Sequence, residues 1–319
     1  MEIDAVITWV DGADEAHKKK RLVASSTPHI SIDKEAAIET RFTSVGEIDY
    51  CLLSLLKFAP WLRKIYIVTD AQIPPIVTTL SGTSAANRIQ VIDHREIFEG
   101  YHQYLPTFNS LAIEAMLWRI KGLSEQFIYC NDDCFLLRPV EPEAFFQSGQ
   151  PVLRGGWKTQ KAQQWKTRLG FGSHGVEGHR RFQENSARML GFKKKFWHLP
   201  HVPFPLLKSV FKNYFEQNPE ILLHTIRYAL RNPEQVWSVS LAYHLGIQKH
   251  QIIFDNQLDG VSINPVHHPW HKIRSKWKKA IKNQNTVFAC FQSLDCAPLE
   301  VRQQLMDWAE QIVLANEEQ

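Results

Sequence analysis

No apolar stretch of the chain approaches the roughly 18 to 20 residues needed to span a bilayer, and its first residues, MEIDAVITWV, carry no basic leader. A cytoplasmic protein is therefore expected. There is no GxGxxG and no P-loop, so neither a dinucleotide fold nor an NTPase is supported. Cysteine is scarce and unpatterned: Cys51, Cys130, Cys134, Cys290 and Cys296 include no CxxC pair and no Cys/His ligand spacing. Free, mostly buried thiols in a reducing compartment are the expectation. Neither an internal repeat nor a low-complexity segment is present. The net charge of +4 is modest, but Lys193–Lys195 and the segment from Lys272 to Lys282, with Lys276, Lys278 and Lys279, are locally basic. Such runs read as a solvated face, or as a patch that suits anionic lipid or a phosphate-bearing polymer better than sequence-read DNA, and no nucleic-acid partner is expected.

With 319 residues and ordinary apolar content, the chain can bury a full core as one large α/β domain or as a core with a substantial insertion. Short apolar runs end repeatedly in acids. IDAVITWV (3–10) reads as a strand and is followed by Asp11 and Gly12. IYIVT (65–69) is followed by Asp70, IQVI (89–92) by Asp93 and His94, and FIYC (127–130) by Asn131, Asp132 and Asp133. Helical patterns separate them: Arg41 to Leu62, with Ile48, Leu52, Leu55 and Leu56 on one face, and Asn109 to Ile120, where Asn109 can cap. This alternation predicts an α/β fold with a mostly parallel sheet and a polar carboxyl edge. Ligands of such sheets bind beyond that edge, where Mg2+ or Mn2+ takes carboxylate oxygens. Asp132 and Asp133 are candidate metal ligands on that ground; a turn closed by its own side chains accounts for the same residues. Asn109 likewise stands between a cap and a site residue, and Glu114 between a helix-surface acid and a site residue.

After Pro139 the character changes. Residues 150 to about 230 are rich in Trp, Lys, Arg, His and Gln, with GGW at 155–157 and GFGSHGVEGH at 170–179, as expected of an insertion or lid. Prolines hold the HLPHVPF segment (198–204) extended, and His201, taken alone, reads as a packed or surface histidine rather than a catalytic one. Helices are expected over Leu206–Phe215, Pro219–Leu230 and Ser238–His244, short strands over 252–254, 261–263 and 287–291, and a final amphipathic helix from Pro298 to about Leu314.

Taken together, these residues resemble the Stealth proteins, sugar-1-phosphate transferases that include bacterial capsular polysaccharide phosphotransferases and the α/β subunit of the lysosomal-enzyme GlcNAc-1-phosphotransferase. IDAVITWVDG (3–12) is similar to the first of the family's four blocks, and 41–72 and 108–134 to the second. HLPHVPF (198–204) with RNPEQVWSVSLAYHLG (231–246) is similar to the third, and FACFQSLD (288–295) to the fourth. The resemblance implies a glycosyltransferase-A-like core at 1–150 that binds a nucleotide sugar. It also implies an inserted, mainly helical, basic lid at 151–235 carrying His201 and Arg231, and a return to the core at 236–319.

The implied reaction moves a sugar-1-phosphate from a UDP-sugar to a hydroxyl of a growing polysaccharide or lipid-linked acceptor, forming a phosphodiester and releasing UMP. By resemblance, Asp132 is the metal-binding acid, with Asn131 and Asp133 beside it. His201 takes the acceptor's proton, and Arg231 neutralises phosphate charge. Asp11 and Gly12 sit by the nucleotide, while Arg41, Glu47, Asn109 and Glu114 fall near the donor. The chain departs from the family at block four: Gln292-Ser293 stands where many members have Asn-Asp, so either the Gln292 carbonyl oxygen or Asp295 serves there. The expected cofactor is Mg2+ or Mn2+, and the basic runs would hold the protein on the anionic inner membrane face. Two other readings stay open, a metal-dependent glycosyltransferase that releases UDP and a non-catalytic carbohydrate-binding surface protein.

Overall fold

The structure, a computed structural model, describes residues 2–25, 44–161 and 178–314. Its centre is a five-stranded sheet. Strands β1 (Ile3–Thr8), β2 (Ile65–Thr69), β3 (Ile89–Asp93) and β4 (Gln126–Asn131) run parallel, in the spatial order β4-β1-β2-β3. A further strand, Phe204–Leu207, closes the β4 edge antiparallel. The α/β, mostly parallel arrangement expected from the strand and helix patterns is thus the one observed. β1 and β2 are buried along nearly their whole length, as strands covered on both faces must be, which is why their sequences are continuous apolar runs.

Alternation of side chains sends successive residues to opposite layers. Val6, Tyr66, Phe127 and Tyr129 join Phe204, Phe211 and Trp237 on one side. Ile3, Ala5, Ile7, Ile128 and Cys130 join the buried face of helix α1 (Glu47–Phe58) on the other. The one charge inside β1, Asp4, is held by both ends of the Arg63 guanidinium (3.0 and 2.6 Å) and by the Ser124 backbone and hydroxyl. A buried carboxylate needs such a full set of donors.

The chain leaves β1 toward β2 and β3 and later returns to the other side of β1 as β4. The strand order therefore switches between β1 and β4, and in open α/β sheets the ligand crevice opens outside the carboxyl ends at such a point. In-register pairing sets Thr8 opposite Asn131 there. A second, three-stranded sheet sits beside it, formed by Asp259–Ile263, Thr286–Phe291 and β5 (Cys134–Leu136). A bond from Phe291 N to Asp133 O (3.0 Å) ties its end to the tip of β4, and one from Gln292 N to Ile263 O (2.9 Å) holds Gln292 at that end of the sheet.

Several elements differ from expectation. The Leu206–Phe215 helix is a strand, Phe204–Leu207, followed by a helix, Lys208–Gln217. Pro205 has no N–H to donate and is tolerated because this strand lies at the sheet's edge; its carbonyl accepts the Tyr243 hydroxyl at 2.8 Å. The Asn109–Ile120 pattern is a short helix, Ser110–Glu114, and then a 3-10 turn at Leu117–Arg119. Among the described residues of 151–235, the helices His179–Met189, Lys208–Gln217 and Pro219–Ile226 alternate with strands, including the antiparallel pair Gly156–Thr159 and Lys195–His198. No described helix is long and apolar enough to cross a membrane.

Candidate active site

A cleft of about 530 Å3 lies at the switch point, and residues far apart in the chain converge on it. β1 supplies Thr8, Trp9 and Val10, and β4 supplies Asn131, Asp132 and Asp133. Glu47, at the first turn of α1, faces them, held by an accepted bond from Val45 N (2.8 Å). Asn131 is oriented by the buried Tyr129 hydroxyl, which donates to its Oδ1 at 2.8 Å.

The acids Glu47, Asp132 and Asp133 all have their carboxyls pushed upward. Burial is the main cause for each; Asp132 is further raised by Asp133 and Glu47, and Glu47 by Asp133 and Asp295, while His201 partly offsets the effect at Asp133. Mutual repulsion among carboxylates at one wall is what a hard divalent cation relieves, and a set of carboxylate and amide oxygens is its preferred donor chemistry. Asp133 also lies within 4.8 Å of the Cys134 and Cys290 thiols. The hydrogen bond between them, and then burial, push Cys134 well up, and Cys290 is raised to about 12. They are protonated S–H donors to Asp133 rather than thiolate ligands.

His201 stands across from this wall. Burial lowers its pKa, with Asp133 acting in the opposite direction, so the imidazole is neutral and able to accept a proton at neutral pH. Its ring meets His179 edge-on at 5.8 Å. Arg231 lines the same cleft and donates from Nη2 to Ser110 Oγ at 2.6 Å. Glu114, buried beside it, accepts the Trp237 indole N–H. Burial pushes Glu114 up to about 7, against hydrogen bonds from Trp237, Ser110 and Tyr129. Gln292 lines the far wall with its Oε1 3.2 Å from the Ser262 hydroxyl, and Asp295 lines it too.

The cleft thus brings together Glu47, Glu114, Asn131, Asp132, Asp133, His201, Arg231 and Gln292. The remaining candidates lie elsewhere. Asn109 is fully buried and outside the lining. Its Oδ1 caps Leu111 N, and its Nδ2 donates to Tyr228 O (2.9 Å) and Gln235 Oε1 (3.0 Å), pinning the loop that carries Arg231. Asp11 closes a turn through Ala13 N (2.8 Å) and exchanges backbone bonds with the Gln72 amide; with Gly12 it adjoins the lining at Val10. Arg41 lies outside the described residues. The strand-end acids Asp70 and Asp93 are not site groups: Asp70 pairs with Lys20 at 2.9 Å, and Asp93 caps the next helix.

Sequence reasoning passed over His17, His94, Thr107, Ser110 and His179, all of which line the cleft. Among the described residues, both ring nitrogens of His94 and the Thr107 hydroxyl are buried without a hydrogen-bond partner, and burial lowers His94 to about 4. Orphaned buried polar atoms facing a cleft ask for a ligand's hydrogen bonds. His94 follows β3 directly, so the strand-end rule that selected Asp132 could also have selected it.

The class that the fold defines is an α/β protein with a cleft of acids, a neutral histidine and an arginine at the switch point of a mostly parallel sheet. Residues 1–24 match Stealth protein CR1, conserved region 1, and residues 41–152 match Stealth protein CR2, conserved region 2. The chain is 34% identical over 248 residues to an exopolysaccharide phosphotransferase of Streptomyces coelicolor, covering 76% of this chain and 25% of that protein. It is 44% identical over 149 residues to the capsular polysaccharide phosphotransferase LcbA of Aeromonas hydrophila (46% and 39% covered). Identity to the exopolysaccharide phosphotransferase CpsY of Mycobacterium tuberculosis is 33% over 251 residues (76% and 44%). The chain belongs to the Stealth family, and it spans between a quarter and under half of the length of these relatives.

Among solved structures, the galactosyltransferase LgtC with donor and acceptor sugar analogs aligns over 98% of both chains at 11% identity and a TM-score of 0.41. Mouse xyloside xylosyltransferase 1 aligns over 93% of this chain and 100% of its own at 7% identity and a TM-score of 0.46.

Proposed function

We propose that the protein is a capsular or surface polysaccharide phosphotransferase that moves a sugar-1-phosphate from a UDP-sugar to a hydroxyl of a growing or lipid-linked glycan. The observation that carries this reading is the convergence of Asp132, Asp133, His201 and Arg231 on one cleft, together with the activity named for the relatives. The acceptor oxygen forms its bond to the β-phosphorus as the bond from that phosphorus to the bridging oxygen breaks. UMP leaves with the bridging oxygen, the sugar C1–O bond survives, and the acceptor's proton goes to the neutral imidazole of His201. Arg231, steered by Ser110, sets a permanent planar cation against the phosphate oxygens. Asp132 and Asp133, with Asn131 and Gln292, are the residues that would hold Mg2+ or Mn2+, which when bound supplies charge neutralisation to the diphosphate. Glu47 borders the same wall. His94 and Thr107, with their free polar atoms, suit the uridine end of the donor, near Val10 and its neighbours Asp11 and Gly12.

The reading puts the reaction in the cytoplasm, at the inner face of the membrane, where a UDP-sugar and a lipid-linked acceptor can meet. The test is incubation with Mg2+, a panel of UDP-sugars and a short glycan acceptor. UMP with a new phosphodiester signal in the phosphorus NMR spectrum is expected; release of UDP would make the protein a glycosyltransferase, and no nucleotide from any donor would point to a binding protein.

A further inference from the structure

The Gly156–Thr159 and Lys195–His198 strands form a two-stranded ribbon whose register sets Trp157 opposite Trp197. The ribbon can form only because Gly155 lacks a side chain: a Cβ there would lie 2.1 Å from the His198 carbonyl oxygen. Trp197 is buried, whereas Trp157 is 43% exposed, standing edge-on to Trp197 at 5.4 Å and beside Phe192 at 5.9 Å. An indole held on two sides and left open on a third is a stacking platform rather than a stray surface residue.

Three exposed lysines, Lys193, Lys194 and Lys195, line an open furrow with Trp157 and Phe192. The loop that carries them is fixed from beneath. Gln160, 1% exposed, donates its backbone N–H to Lys194 O at 3.0 Å and its side-chain amide to the carbonyls of Phe192 and Lys195. Among the described residues none of the three ammonium groups is in an ion pair. Cations left unpaired on a pinned loop beside an open indole match a ligand that alternates apolar ring faces with negative charges.

We infer that this furrow binds a phosphodiester-linked glycan, with a sugar ring stacked on Trp157 and the linking phosphates on Lys193, Lys194 and Lys195. This inference rests on the phosphotransferase reading, since such a chain is that reaction's acceptor and product. The Lys195–His198 strand runs directly into Leu199, Pro200 and His201, so at most about 20 Å of extended backbone joins the furrow to the cleft. A chain held in the furrow keeps its end within reach of the next transfer. An indole set beside the ammonium groups suits a charged chain of sugar rings better than a bilayer, whose headgroups offer negative charge but no ring face to stack.

The test is binding without donor, by calorimetry, of three probes to the full chain: a synthetic hexose-1-phosphate hexamer, maltohexaose, and vesicles containing phosphatidylserine. Selective binding of the phosphodiester hexamer is expected, weakening with salt. Trp157→Ala should weaken it about ten-fold, the loss of one stacked ring, and the double substitution Lys193→Gln with Lys195→Gln should weaken it similarly and flatten its salt dependence. Equal binding of maltohexaose, unchanged affinity in both variants, or vesicle binding without hexamer binding would each overturn the inference. Because no turnover is needed, failure of the phosphotransferase reading shows separately, as absence of UMP release from every UDP-sugar.

Discussion

Glu114 offers a test of the buried network behind Arg231 that needs no substrate. The carboxyl is 3% exposed, and burial carries its pKa from an ordinary 4.5 to about 7. A carboxyl raised in the folded state adds stability that is fully present below pH 4.5 and is lost as pH rises through about 7. The displacement corresponds to about 3 kcal/mol once the group is ionised. Glu114→Gln retains an oxygen for the Trp237 N–H and has no charge to bury. Any cost of its misplaced amide is independent of pH, so the readout is how the gap between the two proteins changes. In metal-free buffer the Tm of the variant should gain on the native protein by roughly 5 °C between pH 4.5 and 8, most of it between pH 5.5 and 7.5, with no further gain above. Thermal unfolding followed by circular dichroism at half-unit pH steps measures this. A gap that stays constant, or that closes as pH rises, would refute the account of Glu114 as a buried acid ionising near neutrality.

Other substitutions separate roles within the cleft. Asp132→Asn should leave the metal-free Tm unchanged or slightly higher, because it relieves repulsion with Asp133 and Glu47. It should abolish the Tm rise that Mn2+ produces in the native protein and reduce UMP release by at least about a hundred-fold; a variant that still gains stability from Mn2+ would remove Asp132 from the ligand set. Ser110→Ala frees Arg231 from its 2.6 Å anchor and is expected to raise the KM for the donor about ten-fold with a smaller change in kcat, as steady-state kinetics would show. Asn109→Ala removes three buried hydrogen bonds and should cost about 2–3 kcal/mol in denaturant unfolding. An Asn109→Ala protein of native stability but no activity would instead assign Asn109 to the donor.

The parallel sheet and Asp132 were legible because both are written locally. Buried parallel strands are continuous apolar runs, and a strand's end is marked where the run meets its first polar residues. His201 and Arg231 were reached through motif resemblance, and nothing in HLPHVPF alone separates a base from a packed histidine. What the sequence could not distinguish was the fate of chemically equivalent acids. Asp70, Asp93 and Asp132 all follow strands, and only the fold turns one into the partner of Lys20, one into a helix cap and one into a wall of the cleft. The Phe204–Leu207 strand was illegible because its partner, β4, is remote in the chain and its Pro205 reads as a breaker until the edge position is known. Asn109 and Gln235 lie 126 residues apart, and Gln292 reaches the cleft only through a second sheet. The sequence by itself determined the strand periodicity and the chemical types available at the strand ends. The tertiary structure decided which of those groups meet, because long-range pairing and burial, which local patterns do not encode, set their neighbours and their charge.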